Sequence, residues 1–117
     1  MLDKNNAYFE RIINEAPFAQ GAVWAYRAWE ESLDKGYDEV VMNVSLFAQD
    51  VESFIATLRA AGIESFIYTA KSTAAIENMH AFVMLGCMME GMCEVVRERY
   101  GRNRSLESIP GIRFRIN

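Results

Sequence analysis

The sequence predicts an α/β (or α+β) domain with a four-stranded mixed sheet in the order βαβαββ, preceded by one broken or two N-terminal helices. Two short strand–helix–strand units favour parallel strands joined by right-handed crossovers. Two segments of alternating side chains, 88–100 and 112–116, indicate an antiparallel hairpin at the end of the sheet. A length of 117 residues fits one domain, 1–117.

The N-terminal part is predicted to be helical. Asn5 or Asn6 can cap a short first helix. Pro17 breaks that helix and suits the first turn of the next one, which is predicted over 17–35 and ends at Gly36. Apolar residues recur every three or four positions along this second helix, so one side of it should be buried.

The middle of the chain alternates short strands with helices. Residues 39–44 are rich in β-branched side chains, which is typical of a strand. A helix with one apolar side is predicted over 48–61 and ends at Gly62. Residues 65–69 are predicted to form the second strand, although the sequence leaves the order of the strands in the sheet open.

The turn after the second strand is a candidate anion-binding site. Ser72 or Thr73 is expected to cap a helix that runs to about Leu85 and ends at Gly86. Free backbone N–H groups at a helix start, together with Lys71, favour a bound anion. The turn lacks the glycines of a phosphate-binding loop, so an ordinary helix cap beside a solvated lysine is the alternative.

The predicted hairpin presents an apolar outer stripe. Alternation over 88–100 places Met92, Val96 and Tyr100 on the outer side, where another helix or a second subunit is needed to cover them. The connection over 101–110 is long for a hairpin and could carry function.

The same alternation predicts which side of the hairpin each core-facing and charged residue occupies. Met89, Cys93 and Val95 are expected to face the core, while Arg113 and Arg115 lie on the outer side against the glutamates of the preceding strand. Four further arginines are not explained by such pairs, and could meet phosphates or an acidic protein surface. They are Arg97, Arg99, Arg102 and Arg104.

Charge is distributed unevenly along the chain. Residues 97–117 hold six arginines against two glutamates, a net charge of +4. The preceding residues hold six basic against fourteen acidic side chains, a net charge of −8, so the whole chain carries −4. Nucleic-acid binding through the basic segment, a salt-bridged hairpin without a partner, and an acidic body that mimics nucleic acid all remain open.

Composition predicts a soluble cytoplasmic protein. Half of the residues are hydrophobic (51%), which is enough apolar surface to bury a core, yet no run is long enough to span a membrane. Residues 1–6 are polar and do not resemble a signal peptide. Cys87 and Cys93, the two cysteines, do not make a disulfide framework.

The sequence offers no catalytic set, metal site or cofactor motif, so an enzyme is not favoured. His80 is the single histidine and is expected on the buried side of its helix, with Cys87 as an inert buried thiol. One histidine and two cysteines do not supply the ligands of a structural zinc site. A methionine cluster, predicted to fill the core or alternatively to line an adaptable binding surface, comprises Met84, Met88, Met89 and Met92.

Several segments resemble a family of small uncharacterised bacterial and mobile-element proteins. The resemblance lies in 16–21 (APFAQG) with the aromatic residues that follow it, in 58–63 (LRAAGI), in 72–74 (STA) and in 111–114 (GIRF). It implies an accessory or regulatory role and transfers no site residue.

These observations favour a non-enzymatic protein-interaction or regulatory module, whose partner is another protein or a second copy in a homodimer. The exposed edge that a final strand creates would support such contacts. Nucleic-acid binding through the arginine-rich hairpin and anion binding around Lys71 are the alternatives.

Overall fold

The computed structural model of the chain describes residues 2–12, 14, 19–98 and 105–116. Helices and strands follow one another in the predicted order, and together they form an α+β fold. The elements are α1 (Ala7–Ile12), α2 (Gln20–Asp34), β1 (Val40–Met42), α3 (Ala48–Ala60), β2 (Ser65–Tyr68), α4 (Ala75–Met84), β3 (Met88–Glu98) and β4 (Leu106–Arg115).

The strands form a mixed sheet in the order β1-β2-β4-β3. Strands β1 and β2 are parallel, and β4 runs antiparallel to both β2 and β3. The last strand therefore lies inside the sheet, and the expectation that it creates an exposed edge is wrong. The edge strands are β1 and β3, because β4 inserts between β2 and its own hairpin partner.

The predicted glycine stops are confirmed. At the end of α3, Gly62 has φ +78° and its N–H donates to the carbonyl of Arg59 at 3.1 Å. The N–H of Ile63 donates to the carbonyl of Leu58 at 3.0 Å, which closes the helix in a left-handed cap. Helices α2 and α4 end at Gly36 and Gly86 in the same way.

The N-terminal caps agree with the sequence only in part. The Asn6 side chain accepts a hydrogen bond from the N–H of Phe9 at 3.1 Å and caps α1 as predicted. Helix α4 begins at Ala75 without a side-chain cap, so the expected cap by Ser72 or Thr73 is wrong. Residues before Ala75 form a separate turn instead, in which the N–H of Ala75 donates to the carbonyl of Ser72 at 3.0 Å.

An aromatic core lies between the helices and one face of the sheet, which we call the helical face. Phe66 of β2 and Phe114 of β4 stack with ring centres 5.6 Å apart on this face. Phe82 of α4 packs edge-on against both rings, and Phe54 of α3 packs against Phe66. All four rings are fully buried, and burial on this scale supplies most of the stabilisation of a small domain.

Helix α2 closes one edge of the sheet. The buried Ser32 hydroxyl accepts a hydrogen bond from the N–H of Val41 in β1 at 2.9 Å and donates to the carbonyl of Ala28 at 2.6 Å. An edge strand offers unpaired N–H groups to other chains unless something covers them. Within the described residues, β1 is thus protected whereas the outer side of β3 has no neighbouring strand.

The β3–β4 hairpin differs from the sequence prediction in length and in facing. Strand β4 begins at Leu106, so half of the predicted loop belongs to it. Strand β4 pairs with β2 only from Ile112 to Arg115, and its earlier residues pair with β3 alone. Pro110 lies in that earlier part, where a residue without an N–H is tolerated because one side of the strand has no partner. A bulge between Met89 and Gly91 shifts the alternation by one residue.

The bulge changes the face of the sheet on which two of the three residues predicted to face the core lie, but burial does not follow the face: Val95 is buried, whereas Met89 is 49% exposed. Met89 pairs with Phe114 and lies on the helical face as predicted. Cys93 and Val95 pair with Gly111 and Ile109, which places them on the opposite face with Arg113. We call this opposite face the open face.

Candidate interaction surface

The strand register places Met92, Glu94 and Val96 on the helical face, on the opposite side of the sheet from Arg113 and not on the same side as predicted. The exposed Met88 instead pairs with Arg115 and lies on the open face. Met92 pairs with Ile112, and Ile112 pairs with Tyr68 of β2. The Tyr68 ring contacts Phe82 of α4 with centres 5.2 Å apart, so these side chains share one side of the sheet. By the two-residue period of a strand, Glu94 and Val96 share that side with Met92.

Nearly all large exposed hydrophobic side chains cluster on the elements at this end of the fold. Of nine such residues among those described, eight belong to α4, β3 and β4, and the ninth is Phe47. The eight are Ile76, Val83, Met84, Met88, Met89, Met92, Val96 and Leu106. We call this set, with the outer edge of β3, the α4–β3 surface. Met92 is 75% exposed and Leu106 72%, so no described element covers the surface.

The methionine cluster is therefore not core filler. All four of its members are exposed, and the expectation that they pack in the interior is wrong. The core in this part of the fold is formed instead by the buried rings of Phe82 and Phe114. Flexible, polarisable thioethers suit a surface that adapts to a partner.

Helix α4 turns a different side to the core than the sequence predicted. Its buried residues are Ala75, Asn78 and Phe82, whereas His80 is exposed together with Ile76. The apolar spacing in the sequence is ambiguous here, because both sides of α4 carry apolar residues. Asn78 sets the orientation of α4, because its side-chain amide forms hydrogen bonds with the backbone of Leu46 inside the fold.

The described arginines of the hairpin are paired with carboxylates. Arg97 donates to Glu107 at 2.6 Å, and Arg115 donates to Glu90 at 3.2 and 3.1 Å. Arg113 has a partner that the sequence did not predict, Glu39 before β1, because β2 lies between β4 and β1 and the guanidinium reaches across it. Arg99, Tyr100, Arg102 and Arg104 lie outside the described residues.

The Arg113–Glu39 pair is the least exposed of the three arginine–glutamate pairs described on the sheet. Nε and Nη2 of Arg113 donate to the two carboxylate oxygens at 2.9 and 2.7 Å, and Ser65 donates to the same carboxylate at 3.0 Å. The hydrogen bond from Arg113 is the largest cause that holds the pKa of Glu39 below its ordinary value, and partial burial opposes it. These contacts tie β1, β2 and β4 together.

Two glutamates at the α4–β3 surface differ from those of the hairpin pairs. Glu77 and Glu94 are exposed, and neither is paired with another described residue. Glu94 lies between Met92 and Val96 on the helical face of β3. Among the described residues, the α4–β3 surface thus combines apolar side chains with two carboxylates that have no paired cation.

The predicted anion site is built differently from the expectation. Lys71, Ser72 and Thr73 are all exposed, and Ser72 contacts the hydroxyl of Ser45. Beneath them the Tyr68 hydroxyl donates to Asn78 at 2.8 Å, and burial raises the pKa of that phenol. These hydroxyl and amide groups satisfy one another beneath the turn, and anion binding by Lys71, Ser72 and Thr73 stays a prediction.

The cysteines and acidic residues provide no further site in the described part of the chain. Burial raises the pKa of both the Cys87 and the Cys93 thiols, which keeps them protonated and poorly nucleophilic at neutral pH. No group of three or more His, Cys, Asp or Glu side chains in the described ranges is placed to hold a metal ion. None of the described helices has the length and apolar character needed to cross a membrane.

Comparison with known proteins identifies the family. A family described as a domain of unknown function (DUF7698) matches residues 24–116. The chain belongs to DUF7698. The match begins within α2 and includes the whole sheet and all elements of the α4–β3 surface, while α1 precedes it. No curated protein and no solved structure matches the chain.

Proposed function

We propose that this DUF7698 protein is a non-enzymatic interaction module that binds another protein through the α4–β3 surface. The observation that carries the proposal is the concentration of exposed apolar side chains beside the one sheet edge that no described residue covers. A concentration of exposed apolar side chains on neighbouring elements is typical of a contact site, whereas single exposed apolar residues are scattered over the surface of most proteins.

The location and role follow from the same proposal. We expect the module to act in the cytoplasm, as its composition and polar N-terminus predict, and to be an accessory or regulatory protein, as its resemblance to bacterial and mobile-element proteins implies. Protein binding is favoured over nucleic-acid binding because Arg97, Arg113 and Arg115 are already neutralised by glutamates, and further anions would have to displace them.

The experiment compares capture of partners by matched surface variants. Tagged wild-type protein, Met92→Glu, Val96→Glu and Phe47→Glu are used to capture proteins from host lysate, with nuclease present. Phe47 is as exposed as Met92 but lies outside the α4–β3 surface, so Phe47→Glu adds the same charge as a control. We expect the first two substitutions to abolish capture of a specific protein and Phe47→Glu to retain it.

The same proteins distinguish a protein partner from the two alternatives, a second copy of the chain and nucleic acid. Sedimentation of the wild-type protein measures its mass, and a dimer that Met92→Glu dissociates would identify a second copy as the partner. A parallel capture by the wild-type protein without nuclease completes the comparison, and a partner that is recovered only in the absence of nuclease would favour nucleic-acid binding by the arginine-rich hairpin. Equal capture by all variants would exclude the α4–β3 surface as the binding site.

A further inference from the structure

We infer that the α4–β3 surface binds an extended segment of another protein, which adds to the outer edge of β3 as a fifth strand and carries a lysine or arginine between two apolar residues. In sequence terms the ligand reads apolar-x-Lys/Arg-x-apolar. This inference rests on the proposed function and specifies the chemistry of its partner.

The backbone of β3 favours a strand as ligand. β3 spans Met88–Glu98 and is paired along this length with β4 alone, so its outer N–H and C=O groups face no other described strand. Extended segments bind such edges through main-chain hydrogen bonds, and side chains at alternate positions provide specificity. The opposite edge of the sheet is not available, because Ser32 occupies the N–H of Val41.

The side chains of β3 define the pattern of the ligand. Met92, Glu94 and Val96 share the helical face, so a strand added to the edge places three of its alternate residues beside them. Apolar residues fit beside Met92 and Val96, and a cation fits beside Glu94. Glu39, Glu90 and Glu107 each pair with an arginine, whereas Glu94 has no described counter-charge.

A second copy of the chain fits this edge poorly. An antiparallel copy that pairs Met92 with Val96 necessarily brings Glu94 of one chain against Glu94 of the other, because the pairing is symmetric about that residue. Like charges directly opposite each other across strands are destabilising.

The test is a charge reversal at Glu94. A random peptide library is selected separately against the wild-type protein and against Glu94→Lys, whose exposed position leaves the fold intact. We expect wild type to enrich apolar-x-Lys/Arg-x-apolar and Glu94→Lys to enrich an acidic residue at the central position. For individual peptides, exchanging the central charge should change affinity about two- to fivefold, in opposite directions for the two proteins.

Amide exchange distinguishes strand addition from other modes of binding. An added strand should slow exchange of alternate β3 amides, whereas a helical ligand on the apolar residues leaves the edge N–H groups exchanging as in the free protein. Peptides with helical spacing, a charge preference that Glu94→Lys does not reverse, or the absence of enrichment would each overturn the inference. If Met92→Glu still abolished partner capture in that case, the interaction module would stand and only the strand-addition mechanism would fail.

Discussion

Asn78 is the side chain on which three neighbouring elements meet. Its amide oxygen accepts from the N–H of Leu46 at 2.7 Å and from the Tyr68 hydroxyl at 2.8 Å, and its NH₂ donates to the Leu46 carbonyl at 2.9 Å. The side chain is buried, so water cannot replace these contacts. One amide therefore fixes the segment between β1 and α3 against β2 and α4.

We predict that Asn78→Ala lowers the free energy of unfolding by about 2–4 kcal/mol, since it leaves buried donors and acceptors unpaired. The melting temperature should fall by about 10 °C, measured by circular dichroism. Ser72→Ala is the control, because Ser72 is exposed and water can take over its contacts. Equal effects of the two substitutions would show that the amide network contributes little to stability.

The Arg113–Glu39 pair should make stability depend on pH. The pKa of Glu39 is lowered in the folded state, so the pair stabilises the fold above the ordinary carboxyl pKa of about 4.3 and loses this effect as pH falls through the lower folded value. We predict that Arg113→Met costs about 1–2 kcal/mol at pH 7 and markedly less near pH 3. Urea denaturation at both pH values measures the difference.

Arg115→Met provides the comparison for that experiment. Its partner pair with Glu90 is more exposed, with 57% of the arginine side chain accessible, so screening by water should limit its effect to under about 1 kcal/mol. If Arg113→Met were no more costly than Arg115→Met at pH 7, the two pairs would be equivalent and the contact across β2 would not stabilise the sheet.

At the scale of elements, the close contact of β2 and β4 requires a glycine at position 111. A Cβ atom there would lie 2.6 Å from Cγ2 of Ile67 and 2.9 Å from Cγ2 of Thr69. Gly111 pairs with Cys93 on the open face, where side chains of β2 lie over it. Ile67 is buried on this face, where the backbone of β4 comes close to its side chain.

We predict that Gly111→Ala destabilises the fold by about 1–3 kcal/mol through overpacking. In an Ile67→Ala background the added methyl group should cost less, because the closest atom has been removed. Unfolding of the wild type, both single variants and the double variant gives the coupling energy between the two positions. Additive effects would indicate that the strain arises elsewhere.

Sequence patterns located the elements but not the faces of the hairpin. Gly36, Gly62 and Gly86 could be assigned as helix ends because a glycine stop depends on neighbouring residues alone. The facing of Cys93 and Val95 could not, since one bulge residue reverses every assignment after it. A glycine within a predicted strand was the available signal for that bulge.

At the scale of the whole molecule, strand order decides which residues can function together. The sequence left this order open because the pairing of β4 with β2 joins residues that are far apart in the chain. Insertion of β4 makes β3 the free edge, and it brings Arg113 within reach of Glu39. The sequence predicted that Met92 and Val96 are exposed. It did not predict that side chains of α4 belong to the same surface, because that depends on the tertiary structure.

The fold also includes a helix that precedes the region shared with DUF7698. Phe9 of α1 is fully buried and stacks on Trp29 with ring centres 4.8 Å apart. Asn6 donates to the carbonyl of Ala61 at 3.0 Å, which connects α1 to the end of α3. These contacts indicate that α1 belongs to the cooperative unit although the family match begins at position 24.

We predict that Phe9→Ala lowers the free energy of unfolding of the entire domain by about 3–5 kcal/mol, the usual cost of deleting a buried phenylalanine ring. Urea unfolding followed by tryptophan fluorescence and by far-ultraviolet circular dichroism should give coincident transitions, both shifted to lower urea. Tyr8→Ala serves as the control, because Tyr8 is only half-buried and its loss should shift the transitions less. If the fluorescence transition moved while the circular dichroism transition stayed in place, α1 would pack on a domain that is stable without it.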